Sequence, residues 1–352
     1  MAGESGRKVT LREVAELADV SLATVYRVAR GATHVTPEIH ERVTTAAASL
    51  GVHLSRSSKF RVIAFLLCNR ELHQRFDFNS HILLGADSYC AAREWSMLFH
   101  RLVYPREVCP QDLHLPTILQ RRDIISGIIV SGMIFPNLLE RLHDSGMPYC
   151  VMGNNVSGEW RPSEHNVIWF DDISGSLEMT SFLQSLGHRN IWFVGNCNFP
   201  WHARRYKGYE RGMLDAGLTP RLSTSHADAD SDIGYLATKS ILAKSEPVSA
   251  ILAGSDAIAE GVYRALRDFR LRIPEDVSVA GFNDTEARLL HPPLTTIRVF
   301  SDEIGKQMAE LVLRHAAGPG LPPEHFTVPT ELVKRQSCQL FSGVEVKLQA
   351  AM

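Results

Sequence analysis

The chain has 352 residues, 45% hydrophobic and 22% charged, with a formal net charge of −2. That length favours two or three domains, and that composition is ordinary for a soluble globular protein. The longest apolar runs, such as Val62–Cys68, are too short to span a membrane, and six scattered cysteines with no C-x-x-C pattern argue against a zinc site or a disulfide framework. The near-neutral balance hides an asymmetry: residues 1–61 hold nine Lys/Arg against six acids, so +3, which leaves −5 for the remainder. A small basic module on a mildly acidic body suits a DNA reader with a separate regulatory part.

Residues 10–51, TLREVAELADVSLATVYRVARGATHVTPEIHERVTTAAASLG, predict three short helices, each with its own start signal. Thr10 and Glu13 make a T-x-x-E capping box ahead of Val14, Leu17 and Ala18. Asp19 and Val20 break that helix. Ser21 caps a second, whose Val25, Val28 and Ala29 face inward and which Gly31 stops. Thr36, Pro37 and Glu38 start the third, which buries Val43, Ala46, Ala47 and Leu50 and ends at Gly51. Two helices joined by a tight turn and braced by a third form a helix-turn-helix, whose second helix lays its N-terminal residues on base edges in the major groove. The exposed reading positions are then Ser21, Leu22, Ala23, Tyr26 and Arg27. Arg27 can fork onto guanine or hold a phosphate, while Leu22 and Ala23 can read a thymine methyl. Thr10, Ser21, Thr24, His34 and Thr36 can donate to phosphates, which fixes register rather than sequence.

After this headpiece (1–52), residues 53–61 are polar and basic and read as a short linker or hinge with Arg56, Lys59 and Arg61. An α/β alternation follows. Strands are predicted over Val62–Cys68, 97–102, 124–130, 148–152, 168–170, 190–195, Ala250–Ala253 and 277–282. Helices are predicted at 80–95, 118–120, Pro136–Ser145 and about 174–186, 203–216, 232–245 and 256–269. Continuous apolar strands alternating with helices imply parallel sheets wrapped on both faces, and some 290 residues fit two lobes better than one. The tail, 341–352, contains one leucine, which argues against a tetramerising zipper.

The headpiece resembles that of LacI/GalR transcriptional regulators through the run from Thr10 to Ala15, Val20 and Ser21, Thr24 and Val25, Arg27 and Val28, Val35 to Glu38, and Leu50 with Gly51. Later strings are similar to the effector domain of the same family: 127–130 (GIIV), Asp171 with Gly175, Leu186 to Arg189 with Ile191, Arg205 with Gly208 and Tyr209, Ser255 and Asp256 with Ala259 and Gly261, 274–279 (PEDVSV) with Gly281 and Phe282, 293–297 (PLTTI), and 332–335 (LVKR). The resemblance implies an α/β fold: a three-helix helix-turn-helix headpiece, then a two-lobed periplasmic-binding-protein-like domain over 62–340. The lobes are expected to be discontinuous, about 62–168 plus 293–325 and about 169–292 plus 326–340. It further implies operator discrimination at Leu22 and Ala23, a shared base contact at Arg27, and an effector pocket using Arg205, Asp256 and Asn283. Tyr26 stands where the family has a small hydroxyl residue and Asn283 where it more often has aspartate. The linker lacks the family's hinge pattern, whose leucine wedges into the minor groove.

Strand ends facing an inter-lobe cleft are where open α/β sheets bind ligands. A buried arginine there can fork onto vicinal hydroxyls, a carboxylate or a phosphate. Trp201, and less directly Phe78, can stack on a sugar face. Asp171 either binds ligand or caps a turn, and Trp160 and Trp169 are expected to pack. No G-x-S-x-G, P-loop, H-E-x-x-H or G-x-G-x-x-G is present, so an enzyme is not expected, nor is a cofactor or metal. The expectation is a cytoplasmic, homodimeric repressor that binds double-stranded operator DNA under control of a small-molecule effector, a carbohydrate or a derivative of one. The competing reading is a ligand-binding protein with no DNA role. Dimer contacts are expected on the first effector-domain helix, through Ile82, Leu83, Ala86 and Tyr89.

Overall fold

The computed structural model describes residues 10–29, 35–50, 61–69, 78–244, 246–318 and 320–343. The first three helices are α1 (Leu11–Leu17), α2 (Leu22–Ala29) and α3 (Pro37–Ser49). Their shared core is Val14, Ala15, Ala18, Val25, Val28, Val43, Ala46 and Ala47. Leu17, which belongs to the same apolar pattern, is 56% exposed. On a seven-residue helix the buried face is set by positions 14, 15 and 18, and at about 100° per residue Leu17 points well away from it. Arg42 of α3 donates to the carbonyls of Ala18 (2.7 Å) and Asp19 (3.0 Å), closing the end of α1 and the start of the turn.

The remainder contains two six-stranded sheets. The chain runs β1 (Val62–Cys68), α4 (Phe78–Ala91), β2 (Ser96–Leu102), α5 (Thr117–Gln120), β3 (Ile125–Gly132), α6 (Pro136–Ser145), β4 (Tyr149–Met152) and β5 (Asn166–Phe170) through the first lobe. It continues as α7 (Asp172–Ser185), β6 (Ile191–Val194), α8 (Pro200–Asp215), β7 (Arg221–Ser223), α9 (Asp230–Ala243), β8 (Ala250–Ala253), α10 (Asp256–Asp268), β9 (Ser278–Asn283) and β10 (Thr295–Val299) in the second. The chain then returns to the first lobe with α11 (Ser301–Ala317) and β11 (His325–Val328) and ends the second with β12 (Thr330–Val333). The spatial orders are β2-β1-β3-β4-β5-β11 and β7-β6-β8-β9-β10-β12. Each lobe therefore repeats one doubly wound order, 2-1-3-4-5, closed by a late strand: β11 runs parallel to β5, and β12 antiparallel to β10.

The strand runs are apolar because helices cover both sheet faces; β1 is buried from Ile63 to Cys68. The crossings between lobes lie near 171, 300 and 329, which corrects the expected boundaries at 168, 292 and 325. Thr295–Val299, expected in the first lobe, pairs with β9 in the second, and His325–Val328, mostly expected in the second, pairs with β5 in the first. These pairings join residues far apart in sequence, so no local pattern announces them.

The expected dimer face of α4 is corrected at two of its four positions. Leu83 and Tyr89 are half-buried and the outward Leu84 is 51% exposed, but Ile82 and Ala86 are fully buried inside the first lobe. They are consumed by close packing of α4 on α11, where a Cβ on Gly305 would overlap the Ile82 carbonyl and one on Gly85 would overlap the Asp302 carbonyl. Among the described residues no helix is long and apolar enough to cross a membrane. Gly305→Ala is expected to lower stability by about 1–3 kcal/mol, because neither backbone can yield without repacking the lobe; equilibrium urea unfolding checks it.

Candidate functional site

Two surfaces carry the predicted site residues. On the headpiece, the Glu13 carboxylate accepts from the Thr10 amide (2.7 Å) and hydroxyl (3.2 Å), so the capping box orients Thr10 at the start of α1. The Ser21 hydroxyl accepts from the Thr24 amide at 3.1 Å and lies 2.8 Å from the Thr24 hydroxyl, which caps α2. Ser21, Ala23, Tyr26 and Arg27 are exposed along one edge of α2. Leu22 departs from the expectation: it is half-buried and packs against the headpiece core. Thr36 is exposed at the start of α3. His34 and most of the linker lie outside the described residues, so their expected phosphate and hinge contacts stand as expectations.

The second surface is a cavity of about 450 Å³ lined from both lobes, within the range of small-molecule sites. Its first-lobe wall comprises Phe78 and Asn79 at the start of α4, Gly132 at the end of β3, Asn155 after β4 and Phe170 at the end of β5. Its second-lobe wall includes Trp201, Arg205, Asp230, Ser255, Glu260, Arg264, Asn283 and Thr285. Most of these residues follow the carboxyl ends of parallel strands, where helix N-termini and unpaired backbone groups converge.

Arg205 anchors the second-lobe wall. It is 3% exposed, donates to the Gly254 carbonyl (2.6 Å) and to the Asn283 side-chain oxygen (2.9 Å), and stacks over the Phe282 ring at 4.0 Å. Burial pushes its guanidinium down to about 10, opposed by the charges of Asp172, Asp230 and Asp256, so it remains a cation at neutral pH. Its Nε has no hydrogen-bond partner. Asn283 reaches Arg205 because the chain turns sharply on leaving β9: Asn283 has φ 114° and Asp284 φ 59°, positive values that Asn and Asp tolerate better than most. Asp284 is pinned in turn by Arg298 (2.8 Å) and Arg335 (2.6 Å). Trp201 lies flat on Phe199, with centroids 5.1 Å apart and planes 9° from parallel, and Phe78 meets Phe170 edge-on at 5.6 Å.

Two expected pocket residues do not line the cavity. Asp171 caps α7 by accepting from the Ser174 amide (3.0 Å). Asp256 is buried behind the wall, where it accepts from the Thr296 hydroxyl (2.7 Å) and the Thr285 amide (2.8 Å) and so positions Thr285. Desolvation pushes its carboxyl up to about 7. Trp160 and Trp169 pack on each other at 5.8 Å, as expected. Sequence reasoning missed Asn155, Asp230, Glu260, Arg264 and Thr285. The strand-end rule could have found Asn155 and Thr285. The others sit on helix faces that only the packing turns toward the cleft. Among the described residues no three His, Cys, Asp or Glu side chains form a metal-binding group.

Comparison with known proteins bears on both surfaces. Residues 10–53 match the sequence profile of bacterial regulatory proteins, lacI family, and residues 180–338 match a periplasmic binding protein-like domain. The chain carries a lacI-family headpiece and a periplasmic-binding-protein-like domain. It is 29% identical to the HTH-type transcriptional regulator CelR of Thermobifida fusca, over 95% of this chain and 99% of that one. It is also 29% identical to the ribose operon repressor of Haemophilus influenzae, over 88% and 92%. Among solved structures, a CelR–cellobiose complex matches at 25% identity and TM-score 0.66, over 94% of this chain and all of that one. A Lac repressor bound to ONPG in the repressed state matches at 25% and TM-score 0.67, with the same coverage. A lacI-family headpiece on the same chain as the cleft sets aside the reading without a DNA role.

Asp256 has a raised folded-state pKa, so it adds stability that is full below its ordinary value near 3.8 and is lost as pH rises through about 7. The stability difference between the wild type and Asp256→Asn is therefore expected to shift against the wild type from pH 5 to pH 8, measured by urea unfolding at each pH.

Proposed function

We propose that this chain is a cytoplasmic, homodimeric transcriptional repressor whose affinity for a twofold-symmetric operator is set by a carbohydrate held in the inter-lobe cleft. The observation that carries the reading is a lacI-family headpiece joined to a cavity at the strand ends of two lobes, anchored by the buried Arg205. Asn79, Asn155, Asn283, Ser255 and Thr285 offer short donors and acceptors suited to hydroxyls, and the paired rings of Trp201 and Phe199 offer an apolar platform for a sugar face. Relatives point the same way: two structures of similar fold hold cellobiose and ONPG.

On DNA, Arg27 reads a base edge, Ala23 and Tyr26 flank it, and Thr10, Ser21, Thr24, His34 and Thr36 set register on phosphates. Leu22 reads with whatever part of its side chain the headpiece core leaves outside. Because the ligand touches both lobes, it favours whichever lobe arrangement completes its contacts. It shifts operator affinity only through that difference. Asp256 acts through Thr285, and Asp171 through the start of α7.

Selection of binding sites from random duplex DNA is expected to return an inverted repeat, as protein symmetry requires. Against that site, Arg27→Ala is expected to cost about 1–3 kcal/mol of specific affinity in fluorescence anisotropy, with the effector domain still folded; unchanged affinity removes Arg27 from recognition. Arg205→Ala is expected to bind the operator normally and to lose the response to any sugar that shifts the wild type. A variant that responds at the same sugar concentration overturns the pocket assignment.

A further inference from the structure

We propose that the effector is a polyhydroxylated amine, a sugar or sugar-like ring with a protonated nitrogen, seated between Trp201 and Asp230. This rests on the carbohydrate reading above and specifies its chemistry. Three independent features of the cavity converge on it.

The first is charge. Asp228, Asp230, Glu260 and Glu286 line the cavity against two arginines, Arg205 and Arg264. Both arginines are already engaged by the protein. Arg264 donates to Asp232 at 2.8 Å and lies over the Tyr235 ring at 4.4 Å. Arg205 uses each terminal nitrogen once, on Gly254 and Asn283, and its Nε, like that of Arg264, has no hydrogen-bond partner. One N–H serves a hydroxyl oxygen, whereas a carboxylate or phosphate needs the paired donors of a guanidinium to repay its desolvation. A sugar acid or sugar phosphate would enter a cleft in which, among the described lining residues, four carboxylates face two arginines.

The second is Asp230. One carboxylate oxygen accepts from the Ser255 hydroxyl at 2.9 Å and faces His202 Nε2 at 3.8 Å; the other is buried with no hydrogen-bond partner. A buried acceptor left unsatisfied is costly, and a charged donor brought by a ligand relieves that cost with a small turn of the carboxylate. The third is the indole. The Trp201 ring meets the His202 ring edge-on at 5.9 Å, His202 faces Asp230, and Phe199 backs the indole. A tryptophan face beside a carboxylate attracts an ammonium twice, through the ring quadrupole and through the anion.

The test is isothermal titration of the full chain with matched sets of glucose, galactose and mannose, their 2-amino-2-deoxy and 2-acetamido counterparts, and their uronic acids and 6-phosphates. In one series at least, the free amine is expected to bind about ten-fold or more tightly than its parent sugar, with the acetamide losing that gain and the acid and phosphate giving no heat. In Asp230→Asn, which keeps an oxygen for Ser255, the amine-to-parent ratio is expected to fall to about one. A parent sugar, acid or phosphate that binds as tightly as the amine overturns this inference and leaves the carbohydrate reading standing. An Asp230→Asn protein that keeps the ratio overturns the role of Asp230. If no member of any series binds, the carbohydrate reading falls and this inference with it.

Discussion

The first crossing between the lobes is held by a carboxylate with no contact to solvent. Asp172, the first residue of α7, is fully buried and takes Arg204 Nε on both its oxygens, at 2.9 and 3.1 Å. Asn154, from the first lobe, donates to the same carboxylate at 3.1 Å and clamps Phe170 through its carbonyl (2.8 Å) and its amide (3.0 Å). Burial alone would drive the Asp172 proton affinity up; the two adjacent arginines and Asn154 oppose it. Removing Arg204 strands the Asp172 carboxylate in a dry site, at about 3–5 kcal/mol. The end of β5, the start of α7 and the helix α8 are thus fixed to one another, and α8 carries Trp201 and Arg205.

That constraint explains how one helix can serve both recognition and transmission. Arg204 and Arg205 are neighbours on α8 that point to different partners, Arg204 to the crossing and Arg205 to the exits of β8 and β9. A ligand that pulls on Arg205 or Trp201 acts on a helix already tied to the first lobe through Asp172 and Asn154. Interior packing has little compliance, so a load of this kind moves lobes rather than side chains. The repeated 2-1-3-4-5 order places both sets of strand ends around the same cavity, and the exchanged strands β11 and β12 mean that no lobe is built from one continuous stretch.

Much of the site was legible in the residues. The caps at Thr10, Ser21 and Thr36 and the apolar positions of α2 and α3 located the three headpiece helices, because capping and periodicity are local effects. Arg205 and Asn283, placed in the cleft by the resemblance, and Trp201 and Phe78, read as stacking rings, all line it. The failures share a cause. Leu17 follows the apolar pattern of α1 yet is exposed, and Leu22, read as an exposed base-contact position, is half-buried, because on helices of seven and eight residues a single neighbouring helix decides which flank is covered. Asp256 shares the motif that carries Ser255, but the N-terminal turn of α10 directs one residue to the cavity and the other to Thr296 behind it.

The sequence by itself determined the class of each part: a capped, basic three-helix headpiece, then parallel sheets of apolar strands, with an arginine and aromatics at strand ends. Each of those follows from the chemistry of a few adjacent residues. Only the tertiary structure decided that β10 and β11 belong to opposite lobes, that Ile82 and Ala86 are spent on α11, that Asp230 and Arg264 face the cleft, and that Asp256 does not. Those outcomes depend on which distant segments share a sheet or a helix face. That sharing is settled by burial and hydrogen-bond satisfaction over the whole fold, not by any local pattern.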